Sequence, residues 1–410
     1  MLRMLYADKE DRILEHPRLK MLGRSGGWVL PEPEELIPLP EGATLVSMPG
    51  YLAAGYDVGK NTPRVEDQGW AVAALLPQGY TRTLLPAGVS VPERAELPLF
   101  GYTAVGMKNG RFYAAALPAD EDYKWNPAQF NTPQLPELVA KLKAARPGNK
   151  IVSQLSRCAL EYGCFTAQNI FYHRWEGGIP TTQSCNARCL GCLSEAHSGV
   201  ASPQCRLSDP PSANEICELG CYHLQAPEAI MSFGQGCEGE PSINGLLLAE
   251  AVKDIRRQTS RGTININTNA GHLKGITALI DAGLDSMRVT MFSCDPDTYR
   301  HYHRPAYDFA DVEGAVDYAV KSGVRVAVNL LVFPGFSDTG KQYQALGEFI
   351  SRHQVSMVQM RNLNLDPETM FAHFPIAEEA FGMVELTKQL KTDFPDLIIG
   401  SYTHPYQRER

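Results

Sequence analysis

The chain has 410 residues, a formal net charge of −8, and 44% hydrophobic and 20% charged residues. These values are ordinary for a globular protein, and without a long basic run they argue against a nucleic-acid partner. The first residues are too charged for a secretory signal, and no apolar stretch reaches the length of a membrane span. We therefore expect a cytoplasmic protein with no membrane partner.

The first part of the chain, residues 1–150, predicts a small β-rich domain. Short apolar runs such as ATLVSMPG and YTAVGMKNGRFYAAALP lie between Pro and Gly residues, as strands between turns do. Asn109 and Gly110 predict a hairpin turn. The segment PQLPELVAKLKAARPG predicts a helix, and residues 151–178, which are rich in aromatics, predict an ordered linker.

From residue 179 onward, short apolar segments alternate with amphipathic helical segments. The predicted strands are IPTTQ, AIMSF, TININT, SMRVTMF, RVAVNLLVF and SMVQMRNL. Because a helical return makes neighbouring strands parallel, we predict an α/β fold over residues 179–402, a partial (β/α)6 barrel of the TIM type. In such barrels the functional loops follow the carboxyl ends of the strands.

Three cysteines follow the first predicted strand in a C-x3-C-x2-C run: Cys185, Cys189 and Cys192. All ten cysteines lie between Cys158 and Cys294, and such clustering in a cytoplasmic protein favours metal ligands or redox groups over disulfides. A structural zinc site normally has four ligands, whereas three thiolates on a four-iron cluster leave one iron open. The alternative is a zinc knuckle completed by a distant ligand.

A second motif, GQGCEGEP, follows the second predicted strand and contains Gly239, Glu240 and Pro241. By itself it is an ordinary strand-to-helix turn. The cysteine run after strand one, this stretch after strand two and the later β/α units together resemble the radical S-adenosylmethionine (SAM) superfamily. The resemblance covers about residues 175–400.

The resemblance implies a catalytic [4Fe-4S] cluster with the three cysteines as its ligands and SAM bound to the open iron. It implies that Glu240 accepts a bond from the SAM amino group and that Gly239 lets backbone approach SAM. Asn269, Ser293 and Asn329 follow or end later strands and are further candidate SAM contacts. FSCD, which contains Ser293, departs by one residue from the pattern of many relatives, and both asparagines are also typical of turns and caps.

The remaining cysteines leave two interpretations open. Cys205, Cys217 and Cys221 would hold a second metal, or the latter two would pack on the apolar face of a helix that begins with a Ser212/Glu215 capping box. Cys158 and Cys164, just before the barrel, have the same two interpretations.

Four segments, SFGQGCEGEPS, RGTININTNAG, AGLDSMRV and QMRNLN, resemble a narrower branch, the methanogenesis-marker radical SAM methyltransferases that modify methyl-coenzyme M reductase. This resemblance implies C-methylation of a protein residue under anaerobic conditions, with cobalamin as methyl carrier and a ferredoxin or flavodoxin as electron donor. The chain lacks an Asp-x-His-x-x-Gly motif, so residues 1–150 would bind cobalamin or substrate. The alternatives are a cobalamin-independent peptide maturase (a dehydrogenase, epimerase or crosslinking enzyme) and a non-catalytic metal-binding scaffold.

Overall fold

The computed structural model describes residues 1–121, 123–196 and 199–408. Two compact units are present, and each draws on segments that are distant in the sequence. One comprises Met1–Asn126, Leu331–Gly347 and Met360–Ser401, and the other comprises Pro127–Leu330, Glu348–Gln359 and Tyr402–Arg410. The sequence predicted domain boundaries at residues 150 and 178, and these boundaries remain a prediction.

The N-terminal region is β-rich, as the sequence predicts. Its strands are β1 (Arg3–Ala7), β2 (Ile13–Met21), β3 (Gly23–Ser25), β4 (Gly27–Val29), β5 (Leu36–Pro38), β6 (Thr44–Asp57), β7 (Thr62–Leu75), β8 (Tyr80–Arg82), β9 (Leu85–Pro86), β10 (Gly88–Ser90), β11 (Tyr102–Lys108) and β12 (Arg111–Pro118). Within the described residues, they form a nine-stranded sheet, in the order β10-β6-β2-β1-β7-β11-β12-β5 with β8 on β12, and a smaller sheet in the order β4-β3-β9.

The predicted hairpin connects β11 and β12. Asn109 and Gly110 have φ values of 53° and 74°, and Lys108 pairs with Arg111. Positive φ at both central residues is what a two-residue type I′ turn requires, so the Asn-Gly prediction is confirmed.

The second half of the chain forms the predicted parallel sheet. Its strands are β13 (Glu176–Gly178), β14 (Ile230–Phe233), β15 (Thr263–Thr268), β16 (Ser286–Met291), β17 (Arg325–Val332), β18 (Met357–Asn362) and β19 (Ile398–Gly400). In the described part of the chain, they are hydrogen-bonded in sequence order. This order is that of a curled, partial radical SAM-type barrel, and the α/β prediction is confirmed.

Helices connect these strands. The α-helices are α1 (Leu135–Ala145), α2 (Lys150–Leu160), α3 (Phe165–Tyr172), α4 (Ala213–His223), α5 (Gly245–Gln258), α6 (Leu273–Ala282), α7 (Pro296–His303), α8 (Phe309–Lys321), α9 (Gly340–His353), α10 (Pro367–His373) and α11 (Met383–Asp393), with short 3-10 helices at Pro33–Glu35, Tyr123–Trp125, Pro127–Gln129 and Pro241–Asn244. None of the helices in the described ranges has the length and apolar character needed to span a membrane.

The first parallel strand lies earlier than predicted. Strand β13 ends at Gly178, whereas the sequence prediction placed a strand at residues 179–183. Pro180 has no N–H to continue the ladder, and the buried carboxylate of Glu238 accepts the backbone N–H groups of Thr181 and Thr182 at 2.8 and 3.3 Å. Residues 179–183 therefore form the entry to the cysteine loop.

The parallel sheet has one polar and one apolar face because side chains alternate along each strand. Met231 lies on the apolar face, where it is next to Gly220 of α4. The polar face carries paired residues of neighbouring strands: Ser232 with Asn265, Asn267 with Arg288, and Thr290 with Asn329. Polar groups thus fill the face opposite the helices.

The tail after β19 docks on the sheet within the second unit. The Tyr406 N–H donates to Thr263 Oγ1 at 2.8 Å, Thr263 Oγ1 donates to the Tyr406 carbonyl at 2.7 Å, and Arg325 stacks on the Tyr406 ring. Thr263 and Arg325 begin β15 and β17, so the tail covers the amino ends of these strands.

Candidate active site

The three cysteines lie in the loop between β13 and α4, and each is partly buried. Burial raises the pKa of Cys185 to about 11, and the nearby Glu240 carboxylate adds to the rise. Burial, followed by the charges of Cys192 and Cys185, raises the pKa of Cys189 well above its usual range. The thiols are therefore close enough to influence each other, and close to the motif after β14.

The loop is attached by its backbone to the Gly-Glu-Pro turn. The Gly239 N–H donates to the Thr182 carbonyl at 2.9 Å, and the Glu240 N–H donates to the Ser184 carbonyl at 2.8 Å. A Cβ atom at position 239 would collide with the Ser184 carbonyl oxygen. Glycine is thus required here because two backbone segments approach closely.

Glu240 connects the turns that follow β14 and β15. One carboxylate oxygen accepts from the Ser242 N–H at 3.0 Å and from Thr268 Oγ1 at 2.5 Å, and the other accepts from the Asn269 N–H at 2.8 Å. The side chain is 4% exposed, and burial raises its pKa. Its position joins the two predicted SAM-binding turns directly.

Asn269 extends this connection to the cysteine loop. Its side-chain N–H donates to Asn186 Oδ1 at 2.6 Å, and its own Oδ1 accepts from the Gly271 N–H at 2.9 Å. The structure therefore brings the turns after β13, β14 and β15 together. Both polar atoms of the Asn269 side chain bond within the protein, so the side chain braces these turns.

Helix α7 holds the cysteine loop from another side. The N–H groups of Arg188 and Leu190 donate to the carbonyls of His303 and Tyr302 at 2.9 and 3.1 Å, and the Ala306 N–H donates to the Asn186 carbonyl at 2.8 Å. The helix starts with Asp295 as N-cap and Pro at its first turn. Its C-terminal end thus acts as a backbone template for the loop.

The side chain of His303 also reaches the triplet. Its Nδ1 lies 3.2 Å from Cys189 Sγ, and its Nε2 accepts from the Phe292 N–H at 3.2 Å. Burial lowers the pKa of His303 to about 3, so the imidazole is neutral.

The other two predicted SAM contacts occupy different environments. Ser293 is buried, and its Oγ accepts from the Asp295 N–H at 3.0 Å, which places it in the turn that starts α7. Asn329 donates to Thr290 Oγ1 at 3.1 Å, while its Oδ1 is buried and has no hydrogen-bond partner among the described residues. Asn329 therefore retains an acceptor for a ligand.

Asn329 belongs to a group of incompletely bonded atoms on the polar face of the sheet. The Asn267 Nδ2 and Arg288 Nε atoms are likewise buried without a partner in the described ranges. Arg288 donates from its other end to Gln359 at 3.3 Å, and burial lowers its pKa. Unpaired buried polar atoms are costly, so this face is suited to a polar ligand.

The residues present fit a four-iron cluster and SAM. Among the described residues, no three His, Cys, Asp or Glu side chains lie close enough together to bind one metal ion. A four-iron cluster does not require this spacing, because each thiolate bonds to a different iron. Three adjacent thiolates repel one another, which bound iron would offset. The Glu240 carboxylate and the Asn329 oxygen are acceptors of the kind that an ammonium and other polar groups of a ligand require.

The predicted second metal site, at Cys205, Cys217 and Cys221, is not shown by the structure and stays a prediction. Cys217 and Cys221 lie 4.0 Å apart on one face of α4, whose predicted capping box is confirmed. Cys205 instead lies in a separate loop, where its backbone carbonyl accepts from Gln154 Nε2 at 3.3 Å. No three metal-ligating side chains within the described parts of the chain come together there. The i, i+4 spacing correctly predicted that Cys217 and Cys221 share a face of α4. It contained no information about the position of the loop that carries Cys205.

Two further cysteines meet behind the Gly-Glu-Pro turn. Cys158 of α2 lies near Cys237, and the interaction of the two thiols, together with burial, holds the pKa of Cys237 well above its usual range. Both side chains are buried, and Gln154 donates to Cys158 Sγ at 3.4 Å. Cys164 bonds instead to Thr166 at 3.3 Å.

Sequence reasoning missed Glu238, Thr268 and the α7 residues Tyr302 and His303. Glu238 was visible as a second acidic residue in the GCEGEP segment, and Thr268 ends the predicted TININT strand. The α7 residues lie in the aromatic and histidine-rich run YRHYH. The position of this run in the sequence gives no sign that it contacts the cysteines.

Comparison with known proteins matches part of the chain to a known superfamily. Residues 179–341 match the family model of the radical SAM superfamily. The chain therefore contains a radical SAM domain, and the predicted superfamily is confirmed.

Curated relatives match part of the chain. The GTP 3′,8-cyclase of Rhizobium etli (strain CIAT 652) is 23% identical over 163 residues, which cover 39% of this chain and 44% of the relative. The GTP 3′,8-cyclase of Aquifex aeolicus (strain VF5) is 26% identical over 165 residues, 39% of this chain and 48% of the relative. The chain thus spans less than half the length of these relatives.

Solved structures are also similar at low identity. Methylornithine synthase (PylB) superimposes with a TM-score of 0.40 at 15% identity, covering 63% of this chain and 77% of that one. A radical SAM methyltransferase from Sphaerobacter thermophilus has a TM-score of 0.39 at 15% identity, with coverages of 55% and 65%.

Proposed function

We propose that the domain cleaves SAM reductively at a [4Fe-4S] cluster held by Cys185, Cys189 and Cys192. The observation that carries this proposal is the convergence of three strand-end turns, in which Glu240 bonds through its backbone to the cysteine loop and through its side chain to the turn after β15. When bound, the cluster supplies the electron that breaks a C–S bond of SAM and yields a 5′-deoxyadenosyl radical.

Glu240 is the proposed acceptor for the SAM ammonium. Its Oε1 already accepts two bonds and its Oε2 accepts one, so Oε2 retains a lone pair for another donor. A neighbouring ammonium favours the ionised carboxylate and opposes the effect of burial. Asn269 and Gly239 act indirectly, because they fix the turns on either side of this carboxylate.

The polar face of the sheet is the proposed chamber for the remaining polar groups of SAM and of the substrate. Asn329, Asn267 and Arg288 each retain an unpaired buried atom within the described residues. A ligand that bonds to these atoms would recover the cost of their desolvation. We include Ser293 as a weaker SAM contact, since its hydroxyl already accepts a backbone bond.

For the reaction itself, we propose C-methylation of a protein residue, with methyl-coenzyme M reductase as the candidate substrate and cobalamin as the methyl carrier. The support is the sequence resemblance of four segments, which form β14, β15, the start of β16 and β18 with their turns. We propose residues 1–150 as the cobalamin- or substrate-binding part and assign no step to a residue there. A ferredoxin or flavodoxin is the proposed electron donor.

The test is an anaerobic preparation in which iron, sulfide and corrinoid are quantified, followed by turnover with reductant, SAM and peptides of the candidate protein. Methylation predicts 5′-deoxyadenosine, S-adenosylhomocysteine and a peptide that gains one methyl group. Deoxyadenosine with a peptide altered in another way would favour a cobalamin-independent maturase. Absence of SAM cleavage in cluster-loaded protein would contradict the proposal and favour a metal-binding scaffold.

A further inference from the structure

The orientation of His303 determines which of its ring nitrogens carries the proton. Nε2 accepts from the Phe292 backbone N–H at 3.2 Å, and a ring nitrogen that accepts a hydrogen bond is unprotonated. The proton of the neutral ring is therefore on Nδ1. Because Nδ1 lies 3.2 Å from Cys189 Sγ, the imidazole donates an N–H···S hydrogen bond to this sulfur.

The ring is fixed in this orientation by its surroundings. It is 1% exposed, stacks on Tyr299 with ring centroids 4.2 Å apart, and meets the Tyr302 ring edge-on at 4.8 Å. The backbone carbonyl of the same residue accepts from the Arg188 N–H, so the helix end and the loop move together. Rotation of the ring away from the sulfur would require disruption of these contacts.

We propose that His303 is a positioning residue that tunes the reduction of the cluster through its hydrogen bond to Cys189. The inference rests on the proposed function, because it requires a cluster on the triplet. Hydrogen bonds to the sulfurs are among the features that set the reduction potential of an iron–sulfur cluster. A donor stabilises the more negative, reduced state, and it also orients the ligand thiolate.

Two substitutions distinguish the effect of the hydrogen bond on the cluster potential from the effect of losing the packed ring. His303→Leu removes the donor, and His303→Asn restores an N–H close to the position of Nδ1. The midpoint potential of the cluster, measured without SAM by a redox titration followed by electron paramagnetic resonance, reports the effect. We expect His303→Leu to shift the reduced-to-oxidised equilibrium about tenfold toward oxidised, about 59 mV for one electron, and His303→Asn to recover most of this shift.

Tyr299→Phe is the matched control, because it keeps a ring stacked on His303 and loses a hydroxyl that bonds to Tyr307 at 2.7 Å and to the Asn269 carbonyl at 3.4 Å, not to His303 or Cys189. This variant should retain the wild-type potential. An unchanged potential in cluster-loaded His303→Leu would overturn the proposal, as would an equal shift in Tyr299→Phe.

A second measurement on the wild-type protein covers the case in which His303→Leu fails to hold a cluster. With ¹⁵N-labelled histidine, pulsed electron paramagnetic resonance of the reduced cluster should detect a coupled ring nitrogen that is absent in His303→Asn. Absence of this coupling from the wild type would overturn the proposal. If wild-type protein holds no cluster by iron and sulfide analysis, the proposed function fails; if it cleaves SAM but lacks the coupling, this inference alone fails.

Discussion

Glu240→Gln tests the proposed SAM-binding role of the carboxylate most directly. The substitution keeps the shape of the side chain but replaces one oxygen by an NH2 group. Oε2 now accepts from the Asn269 N–H, so an amide NH2 placed there would face another donor. The reverse orientation would face two donors, from Ser242 and Thr268.

The magnitude follows from these contacts. In the less costly orientation one buried N–H loses its partner, which should lower the free energy of unfolding by about 1–3 kcal/mol. Loss of the charge that meets the SAM ammonium should cost a further ~1.5–3 kcal/mol of binding, or roughly ten- to a hundredfold in affinity. Equilibrium dialysis of SAM with anaerobically reconstituted protein measures the affinity, and denaturant unfolding measures the stability.

Glu238→Gln is the control in the same turn. Its buried carboxylate accepts from the backbone N–H groups of Thr181, Thr182 and Gly234, whereas the Glu240 carboxylate accepts from Ser242, Thr268 and Asn269. We expect a similar loss of stability with little change in SAM affinity. Equal losses of SAM affinity in both variants, or none in either, would refute the assignment of Glu240 as the ammonium acceptor.

Three further predictions follow from named contacts. Cys189→Ala should abolish cluster absorbance and SAM cleavage, whereas Cys221→Ala on α4 should retain both; SAM cleavage by the first variant at the wild-type rate would contradict the cluster assignment. Gly239→Ala should lower stability by about 1–3 kcal/mol, since its Cβ meets a backbone carbonyl. Gly314→Ala in α8, whose added Cβ would lie 3.6 Å from the Leu273 side chain, should raise stability by about 0.4–1 kcal/mol; thermal unfolding measures both. Burial raises the pKa of Glu238 from 4.5 to about 7, so stability from this group should fall as pH rises through that interval, and denaturant titrations should show a smaller fall in Glu238→Gln.

The sequence predicted those elements that are determined by interactions between residues close together in the chain. Strand β15 coincides with TININT, and α4 begins at the predicted Ser212/Glu215 capping box. The Asn109-Gly110 turn was predictable because few dipeptides tolerate positive φ at both positions. These features require only neighbouring residues to form.

The remaining features depend on contacts between residues that are distant in the sequence. The apolar-looking segment IPTTQ does not form a strand, because Glu238 takes the backbone donors of Thr181 and Thr182. Nothing in the spacing of the cysteines indicated that His303 contacts Cys189, 114 residues earlier. The placement of Cys205 away from α4 likewise depends on a long loop whose course has no local signal.

The backbone hydrogen bonds between the end of α7 and the cysteine loop have a consequence for the order of events during synthesis. Cys189 of the loop is synthesised 114 residues before His303, a delay of about 6–23 seconds at about 5–20 residues per second. Throughout this interval the three thiols lack the backbone template that shapes the loop. Iron delivery to a correctly shaped site therefore has to wait until β16 and α7 have been made and folded, so metallation follows the assembly of this part of the barrel.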